Sequence, residues 1–214
     1  MFNLSPAEVL ANIVVLVIAF TVHELAHAVT ADYFGDDTPR LHGRLTLNPL
    51  AHLDPLGSLL LLVAGFGWAR PVPINPAVLR RRSPAAVMWV SLAGPLSNLL
   101  LAALAAIPFR MGLLTPAIPH GLLPSLSQIF TQFIFINLVL LLFNLLPVAP
   151  LDGDKILAFF LPAEWEWRFD SLRPYGSIIL MVLIFLAPMI GLDVLGWVVF
   201  RPAVHLFGIL VGAA

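Results

Sequence analysis

The chain has 214 residues, of which 60% are hydrophobic and only 11% are charged, and its formal net charge at pH 7 is −1. Soluble domains carry about 25% charged residues, so this composition excludes an ordinary soluble domain and predicts a membrane protein with several spans. No basic patch with interleaved aromatic residues indicates nucleic-acid binding, and the lack of cysteine excludes disulfides and thiolate metal ligands.

Apolar stretches of about 20 residues, the length needed to cross the hydrocarbon core, divide the chain into its predicted elements. In chain order they are residues 8–31, 85–109, 124–146 and 174–190, with a weaker candidate at 193–213. The sequence therefore predicts an all-α polytopic membrane protein with four to six transmembrane helices, folded as a single domain over residues 1–214.

The first span contains the sequence His23-Glu24-Leu25-Ala26-His27. Histidines four apart share one face of a helix, so both imidazoles can point at one metal ion. Glu24 lies roughly 100° around the helix and can reach a water on that metal without binding the metal itself. The alternative is a hydrogen-bonded network between helices, but ionisable residues within spans are functional by default, which favours metal binding.

The region between the first two spans is predicted to be irregular. Residues 36–54 and 68–84 are rich in Pro, Asn, Gly and Arg and alternate in places, which favours short strands and turns. The apolar run 56–67 is too short to span comfortably, so we expect a short re-entrant or β-strand element there.

A third metal ligand is expected after the third long span. Catalytic zinc usually takes three protein ligands and keeps one position open, and in the absence of cysteine the third must be His, Asp or Glu. Asp152 is the best candidate, because it follows two helix-ending prolines and Gly153 would permit a tight turn. Two alternatives stay open: Asp154 could be the ligand instead, and Asp152 could be the N-cap of a helix beginning near Lys155.

The distribution of basic residues predicts the orientation in the membrane. Of the 11 Lys and Arg, six lie in residues 32–84 and three in residues 147–173. Because cytoplasmic loops are enriched in these residues, both stretches are expected to face the cytoplasm, with the N-terminus outside. His27 then lies roughly 7 Å from the cytoplasmic end of its helix, at 1.5 Å per residue, so the site is expected near that side.

Together these residues resemble the site-2 protease family of intramembrane zinc metalloproteases. The resemblance rests on the His23–His27 motif, on Gly94-Pro95-Leu96-Ser97-Asn98 in the second long span, and on Asn144 through Gly153. It covers a catalytic core of about residues 8–160. The C-terminal helices expected at about 174–213 come after this core. We expect the compact form of the family, without an inserted PDZ-like domain or a pair of CBS domains.

The resemblance implies a set of site residues and a cofactor. One Zn²⁺ per chain would be bound by His23, His27 and Asp152, and Glu24 would be the general base. Asn144 would lie near the substrate, where its amide could stabilise the oxyanion. Asp154 departs from the small residue that many relatives have at this position.

The resemblance also implies an activity, a substrate class and a location. The expected enzyme is a zinc endopeptidase that cuts within or next to transmembrane segments of membrane proteins in the lipid bilayer, in regulated intramembrane proteolysis. A multi-pass protein of a bacterial or archaeal cell membrane is expected. The alternative is a non-proteolytic zinc-binding scaffold or metal-handling protein, and the presence of Glu24 favours the enzyme, because a carrier needs no general base.

Four other polar or small positions carry weaker expectations. Gly94 and Asn98 share a helix face and are expected to pack against the first span rather than contact substrate. His42 and His52 are expected to have surface or turn roles rather than to bind metal.

The substrate is expected to unwind before it is cut, because peptide carbonyls in a helix are hydrogen-bonded. It is therefore expected to carry helix-breaking residues and to be held by β-addition to the strands or to 56–67.

Overall fold

The computed structural model describes residues 5–54, 57, 69–118 and 120–212. In these residues the fold is built around four long apolar helices. Each of the four is long and apolar enough to cross a membrane, and a shorter apolar helix, Gly196–Val211, follows them. The four are Pro6–Tyr33 (α1), Ala86–Arg110 (α4), Leu126–Asn144 (α5) and the helical rod Trp167–Met189. The prediction of an all-α polytopic membrane protein is confirmed.

Shorter elements connect the long helices. Between α1 and α4 lie Thr38–Leu41 (α2), the 3₁₀ turn Pro49–Ala51 and Pro76–Arg82 (α3). After α5 the chain forms Asp152–Phe160 (α6), Ala163–Leu172 (α7), the 3₁₀ turn Arg173–Tyr175, Gly176–Met181 (α8), the π-helical Val182–Leu186, Ala187–Met189 (α9), the π-helical Gly196–Phe200 and Arg201–Val211 (α10).

Two of the long helices begin at capping boxes that their sequences encode. The Ser5 side chain accepts from the backbone N–H of Glu8, whose carboxylate accepts from the N–H of Ser5. Ser125 and Gln128 repeat this arrangement at the start of α5. Each box satisfies two backbone donors that a helix start would otherwise leave without partners, which fixes where α1 and α5 begin.

The helix α4 lies at the centre of the bundle and packs against α1, α5, α6 and α10. Its buried positions are mostly small, and alanines also dominate the buried face of α1. Small side chains let helix backbones approach closely, which is how helices associate where lipid is as apolar as the core. The largest apolar cluster joins α4, α5 and α10, with Ile134 and Leu138 of α5 completely buried in it.

The outer surface of the bundle is apolar. On α1 the exposed residues Leu10, Val14 and Ile18 are spaced by four and form one stripe, and α4 exposes Leu100 and Leu104 in the same way. A soluble monomer rarely exposes such a surface. These stripes are therefore the lipid-facing sides of helices that lie in the bilayer.

The expectation of strands between the first two spans was wrong for the residues that the structure describes. Those residues of 36–54 and 68–84 form α2, the 3₁₀ turn, α3 and extended chain, with one isolated antiparallel bridge from Leu53 to Ala69. The prolines explain the difference, because proline starts helical turns and donates no ladder hydrogen bond. The predicted element at 56–67 lies outside the described residues, apart from residue 57.

Candidate metal centre

The two histidines of α1 lie side by side in the interior of the bundle, with His23 5% and His27 8% exposed. His27 donates its Nδ1–H to the backbone carbonyl of Val90 on α4, over 2.6 Å. His23 donates its Nδ1–H to the Oδ1 of Asn98, also over 2.6 Å. Because each ring donates from Nδ1, the Nε2 atom of each neutral ring carries a lone pair, which is the form that binds a metal.

Asp152, which is far from the histidines in the sequence, lies next to them in the fold. The helix α5 ends at Asn144, and α6 begins at Asp152 with Leu151 as its N-cap, so Asp152 is the first helical residue and not the N-cap. Its Oδ2 lies 3.2 Å from the Nε2 of His23 and 3.2 Å from the Nε2 of His27. The structure therefore brings together the three residues that the sequence selected.

The ligand atoms form a triangle of the right size for zinc. The two Nε2 atoms are 3.0 Å apart, and each is 3.2 Å from the carboxylate oxygen. Ligands bound tetrahedrally at zinc distances of about 2.0–2.2 Å lie about 3.3 Å from one another. Three buried acceptors this close repel one another unless a cation lies among them, so the arrangement of His23, His27 and Asp152 fits a metal ion.

The carboxyl of Asp152 is ionised in this cluster. Burial raises the pKa of Asp152, but the two imidazoles beside the carboxyl lower the pKa by more, so the pKa stays below its usual range. A carboxylate must be deprotonated to bind a metal. Asp152 can therefore offer a third ligand atom in the required form.

Gly94 closes one side of this cluster. A Cβ atom at this position would lie 2.6 Å from the Nε2 of His23 and in contact with the Nε2 of His27. Gly94 and Asn98 thus both pack against the histidines of α1, each in its own way. Gly94 leaves room next to the two lone pairs, and Asn98 bonds the ring of His23.

Gly153 has a different role from the one predicted. It is the second residue of α6, in helical conformation, and no tight turn occurs there. A Cβ atom would instead collide with the backbone carbonyls of Leu145 and Leu146. Glycine is needed because the start of α6 packs directly on the end of α5, and this packing carries Asp152 to the histidines.

Asp154 points away from the metal cluster. Its Oδ1 accepts a hydrogen bond from the Nε–H of Arg173 over 3.0 Å, and the same guanidinium pairs with Asp170. Among the described residues, His23, His27 and Asp152 are the group whose atoms could hold an ion, and Asp154 is not in it. The Arg173 pair instead fastens the start of the fourth long helix to the element that carries Asp152.

Glu24 is buried next to His23, and a backbone group orients its carboxylate. Its Oε2 accepts the N–H of Val72 over 3.1 Å. Val72 belongs to the segment 69–75, which we call the crossing segment. The carboxylate is therefore held in place by main chain from outside α1, a contact that sequence spacing could not have indicated.

The crossing segment is fixed at both ends. Near its start, Arg70 donates its N–H to the carbonyl of His52 over 2.7 Å, and at its end Asn75 donates to the Oδ2 of Asp36 over 2.6 Å. Asp36 is 1% exposed and lies just after α1. The segment thus runs over Glu24 between two anchored points.

The remaining predicted residues are not among the three that form the cluster. Asn144 is the last residue of α5 and donates its amide to the carbonyl of Leu140, so its oxyanion role stays a prediction. His42 is exposed and bonds the carbonyl of Thr38, as expected for a turn residue. His52 is completely buried rather than at the surface, and its Nε2 bonds the carbonyl of Thr46.

One buried polar residue near the site was not predicted from the sequence. Asn137 of α5 accepts, at its Oδ1, the amide of Asn98 over 2.8 Å, and both residues are 0% exposed. An asparagine within an apolar span was a visible signal, but it is also the ordinary signature of contact between helices. The link to His23 appears only once the three helices are assembled.

Sequence comparison identifies similar curated proteins. The chain is 46% identical over 181 residues to YwhC of Bacillus subtilis (strain 168), covering 83% of this chain and 80% of YwhC. It is 33% identical over 195 residues to Rip2 of Mycobacterium tuberculosis (strain ATCC 25618 / H37Rv), covering 87% of this chain and 71% of Rip2. Both carry the name "Putative zinc metalloprotease". No family model and no solved structure matches the chain.

Proposed function

The chain belongs to the zinc metalloprotease family of YwhC and Rip2, and we propose that it is a site-2-type protease that cuts peptide bonds within or next to transmembrane segments. The observation that carries the proposal is the position of the metal centre. His23, His27 and Asp152 converge inside a bundle whose outer surface is apolar, and two of them lie on a helix that can cross the membrane. Hydrolysis at such a centre takes place at membrane depth.

The residues of the site are proposed to have separate roles in metal binding, proton transfer and oxyanion stabilisation. His23, His27 and Asp152 would hold a zinc ion, which would supply Lewis acidity toward a water molecule and a peptide carbonyl. Glu24 accepts the proton from the attacking water and later delivers it to the leaving amine. Its Oε2 is engaged by the N–H of Val72, so Oε1 is the oxygen proposed to exchange the proton. Asn144 is proposed to donate to the oxyanion with the second hydrogen of its amide.

The substrate is proposed to be a transmembrane protein segment that unwinds before it is cut. A carbonyl within an intact helix already accepts a hydrogen bond, and lipid offers no replacement for that bond. Helix-breaking residues near the scissile bond lower the cost of unwinding. Extended chain near the site, such as the crossing segment beside Glu24, is a proposed binding edge for the unwound piece.

The active site is proposed to open near the cytoplasmic side of a bacterial cell membrane. Nine of the 11 Lys and Arg lie in residues 32–84 and 147–173, the two stretches adjoining the end of α1 that carries His27 and the start of α6 that carries Asp152. Cytoplasmic loops are enriched in these residues. The relatives come from Bacillus and Mycobacterium, which supports a bacterial membrane.

The proposal is tested by reconstituting the purified chain with a model transmembrane substrate that carries a helix-breaking residue near its middle. We expect cleavage by the wild-type protein, at a bond that mass spectrometry locates within or next to the apolar segment. We expect Glu24→Gln to lower the rate by about 10²–10⁴-fold, the usual contribution of a general base, while zinc stays bound. A substrate whose helix breakers are replaced by leucine serves as the control and is expected to be cut more slowly.

Three outcomes separate the alternatives. Equal cleavage of the leucine-substituted substrate would contradict the unwinding step. Cleavage only in soluble loops would identify a membrane-anchored protease with a different substrate class. Bound zinc without cleavage of any substrate would favour the zinc-binding scaffold or metal-handling protein.

A further inference from the structure

We propose that Asn137 is a positioning residue for the metal centre, which acts through Asn98 to fix the tautomer and orientation of His23. The inference rests on the proposed function, because it concerns how the metal ligand is presented. The side chain of Asn137 bonds Asn98 and the carbonyl of Phe133, and it lies on α5, while the three residues of the metal cluster lie on α1 and α6.

A continuous chain of hydrogen bonds joins α5 to His23. The Asn137 amide Nδ2 donates to the backbone carbonyl of Phe133 over 2.8 Å. The Asn98 amide Nδ2 donates to the Oδ1 of Asn137 over 2.8 Å. The Nδ1 of His23 lies 2.6 Å from the Oδ1 of Asn98. We call these three bonds the amide relay.

The direction of the amide relay follows from its far end. A backbone carbonyl only accepts hydrogen bonds, so the atom of Asn137 next to Phe133 must be its NH₂ group. The Oδ1 of Asn137 then faces Asn98 and requires the NH₂ group of that residue. The Oδ1 of Asn98 consequently faces His23, and the ring must donate from Nδ1.

The reverse direction is excluded by the same contacts. If Asn137 were turned around, its amide oxygen would face the carbonyl of Phe133, and two acceptors would lie in contact. The relay therefore places the hydrogen of His23 on Nδ1 and the lone pair on Nε2, the atom that faces His27 and Asp152. A fixed backbone group on a third helix thus decides which nitrogen of His23 can bind a metal.

Because Asn98 and Asn137 are buried, the tautomer of His23 depends strongly on Asn137. Asn98 and Asn137 are 0% exposed, so water does not readily replace a missing partner. A buried polar group without a partner is costly, and the Asn98 amide would turn to find another one. If it turned, its NH₂ group would face Nδ1 of His23 and favour the tautomer with the hydrogen on Nε2. That tautomer cannot bind a metal through Nε2.

A second polar bond on α5 provides a matched comparison. Gln132, five residues before Asn137, donates its amide to the Oδ1 of Asn12 on α1 over 2.7 Å. This bond also joins two long helices through carboxamide side chains, but it is not part of the amide relay. If the role of Asn137 were only to hold helices together, removing either bond would have the same effect on metal binding.

The test compares zinc affinity in Asn137→Leu, Asn137→Asp and Gln132→Leu, by competition with a chromophoric chelator, with thermal unfolding of each metal-free protein. We expect Asn137→Leu to weaken zinc binding by about 10–100-fold, the usual loss when a partner of a metal ligand is removed. In Asn137→Asp a protonated carboxyl can donate to Phe133 and accept from Asn98, so we expect affinity within a few-fold of wild type. Gln132→Leu is expected to leave zinc affinity unchanged even if it lowers the melting temperature.

Several outcomes would overturn the proposal. Wild-type zinc affinity in Asn137→Leu would do so, as would equal losses in Asn137→Leu and Gln132→Leu. If Asn137→Leu does not fold, Asn137→Ala takes its place, and unchanged affinity there is equally contradictory. In each of these cases a wild-type protein that binds zinc and cuts its substrate leaves the proposed function intact, whereas wild-type protein without zinc would overturn both.

Discussion

The Nε2 atoms of His23 and His27 face each other at 3.0 Å, although the Nδ1 atom of each ring is already bonded elsewhere. Both Nδ1 atoms donate to oxygen acceptors on α4, so neither neutral ring has a hydrogen to place between the two Nε2 atoms. The carboxylate of Asp152 adds a third acceptor at 3.2 Å from each. The pair is arranged for a shared metal ion and not for a bond between the rings.

The space beside these two nitrogens should be sensitive to a single methyl group. In Gly94→Ala the added Cβ would lie against both Nε2 atoms, and overpacking of this kind costs about 1–3 kcal/mol. We expect weaker zinc binding, measured by metal analysis after dialysis against a chelator. Gly208→Ala is the control, because a Cβ there meets nothing within 4 Å. In that helix alanine is expected to be neutral or stabilising, and an equal loss of zinc in both variants would contradict the explanation.

The two neighbouring carboxylates should differ sharply in their effect on zinc. Asp152→Asn removes a charged ligand, so we expect zinc content to fall well below that of the wild-type protein. Asp154→Asn removes only the negative charge that faces Arg173, and zinc is expected to remain at wild-type stoichiometry. Metal analysis of both purified variants decides between them. Loss of zinc in Asp154→Asn alone would reverse the assignment.

The pair of Arg173 and Asp154 should contribute to stability rather than to metal binding. The Asp154 side chain is 7% exposed, so Arg173→Leu would leave a buried carboxylate without its main partner. Because Arg173 is 34% exposed, we expect a moderate loss of about 1–3 kcal/mol, seen as a lower unfolding temperature in detergent. Adding Asp154→Asn should recover part of the loss. Arg168→Leu, at an exposed position of α7, is the control and should change little.

The contact between Val72 and Glu24 should affect hydrolysis without affecting zinc. Val72→Pro removes the N–H that bonds Glu24, at a position where the following Pro73 already favours the extended backbone that proline adopts. A hydrogen bond to a charged group contributes about 1.5–3 kcal/mol, so we expect cleavage to slow by about 10–100-fold. Val72→Ala keeps the N–H and should retain activity. Similar rates in the proline and alanine variants would show that this bond does not position Glu24.

The sequence predicted the long helices and selected the three residues that the structure brings together, because both inferences depend on strong local or compositional signals. Runs of apolar residues define spans, and histidines four apart must share a helix face. Asp152 could be selected because few ligand types were available and membrane sidedness narrowed the choice. These inferences needed no knowledge of how the helices pack.

The contacts that join separate elements could not be predicted in this way. Gly153 suggested a turn, but its reason is the carbonyls of Leu145 and Leu146, which come close only after α6 packs on α5. The bond from Val72 to Glu24 joins residues 48 positions apart through a backbone group that any amino acid except proline would supply. Asn137 resembled an ordinary contact residue between helices until its partner Asn98 was seen to bond His23.

The most direct test of the metal centre is zinc K-edge X-ray absorption on Glu24→Gln protein, which is expected to retain metal without cutting its substrate. The structure predicts one zinc per chain, with two imidazole nitrogens and oxygen ligands at about 2.0–2.2 Å. In the same measurement, Asp152→Ala should lose most of its zinc or show a changed oxygen shell. Protein without zinc, or a spectrum unaltered by Asp152→Ala, would contradict the site formed by His23, His27 and Asp152.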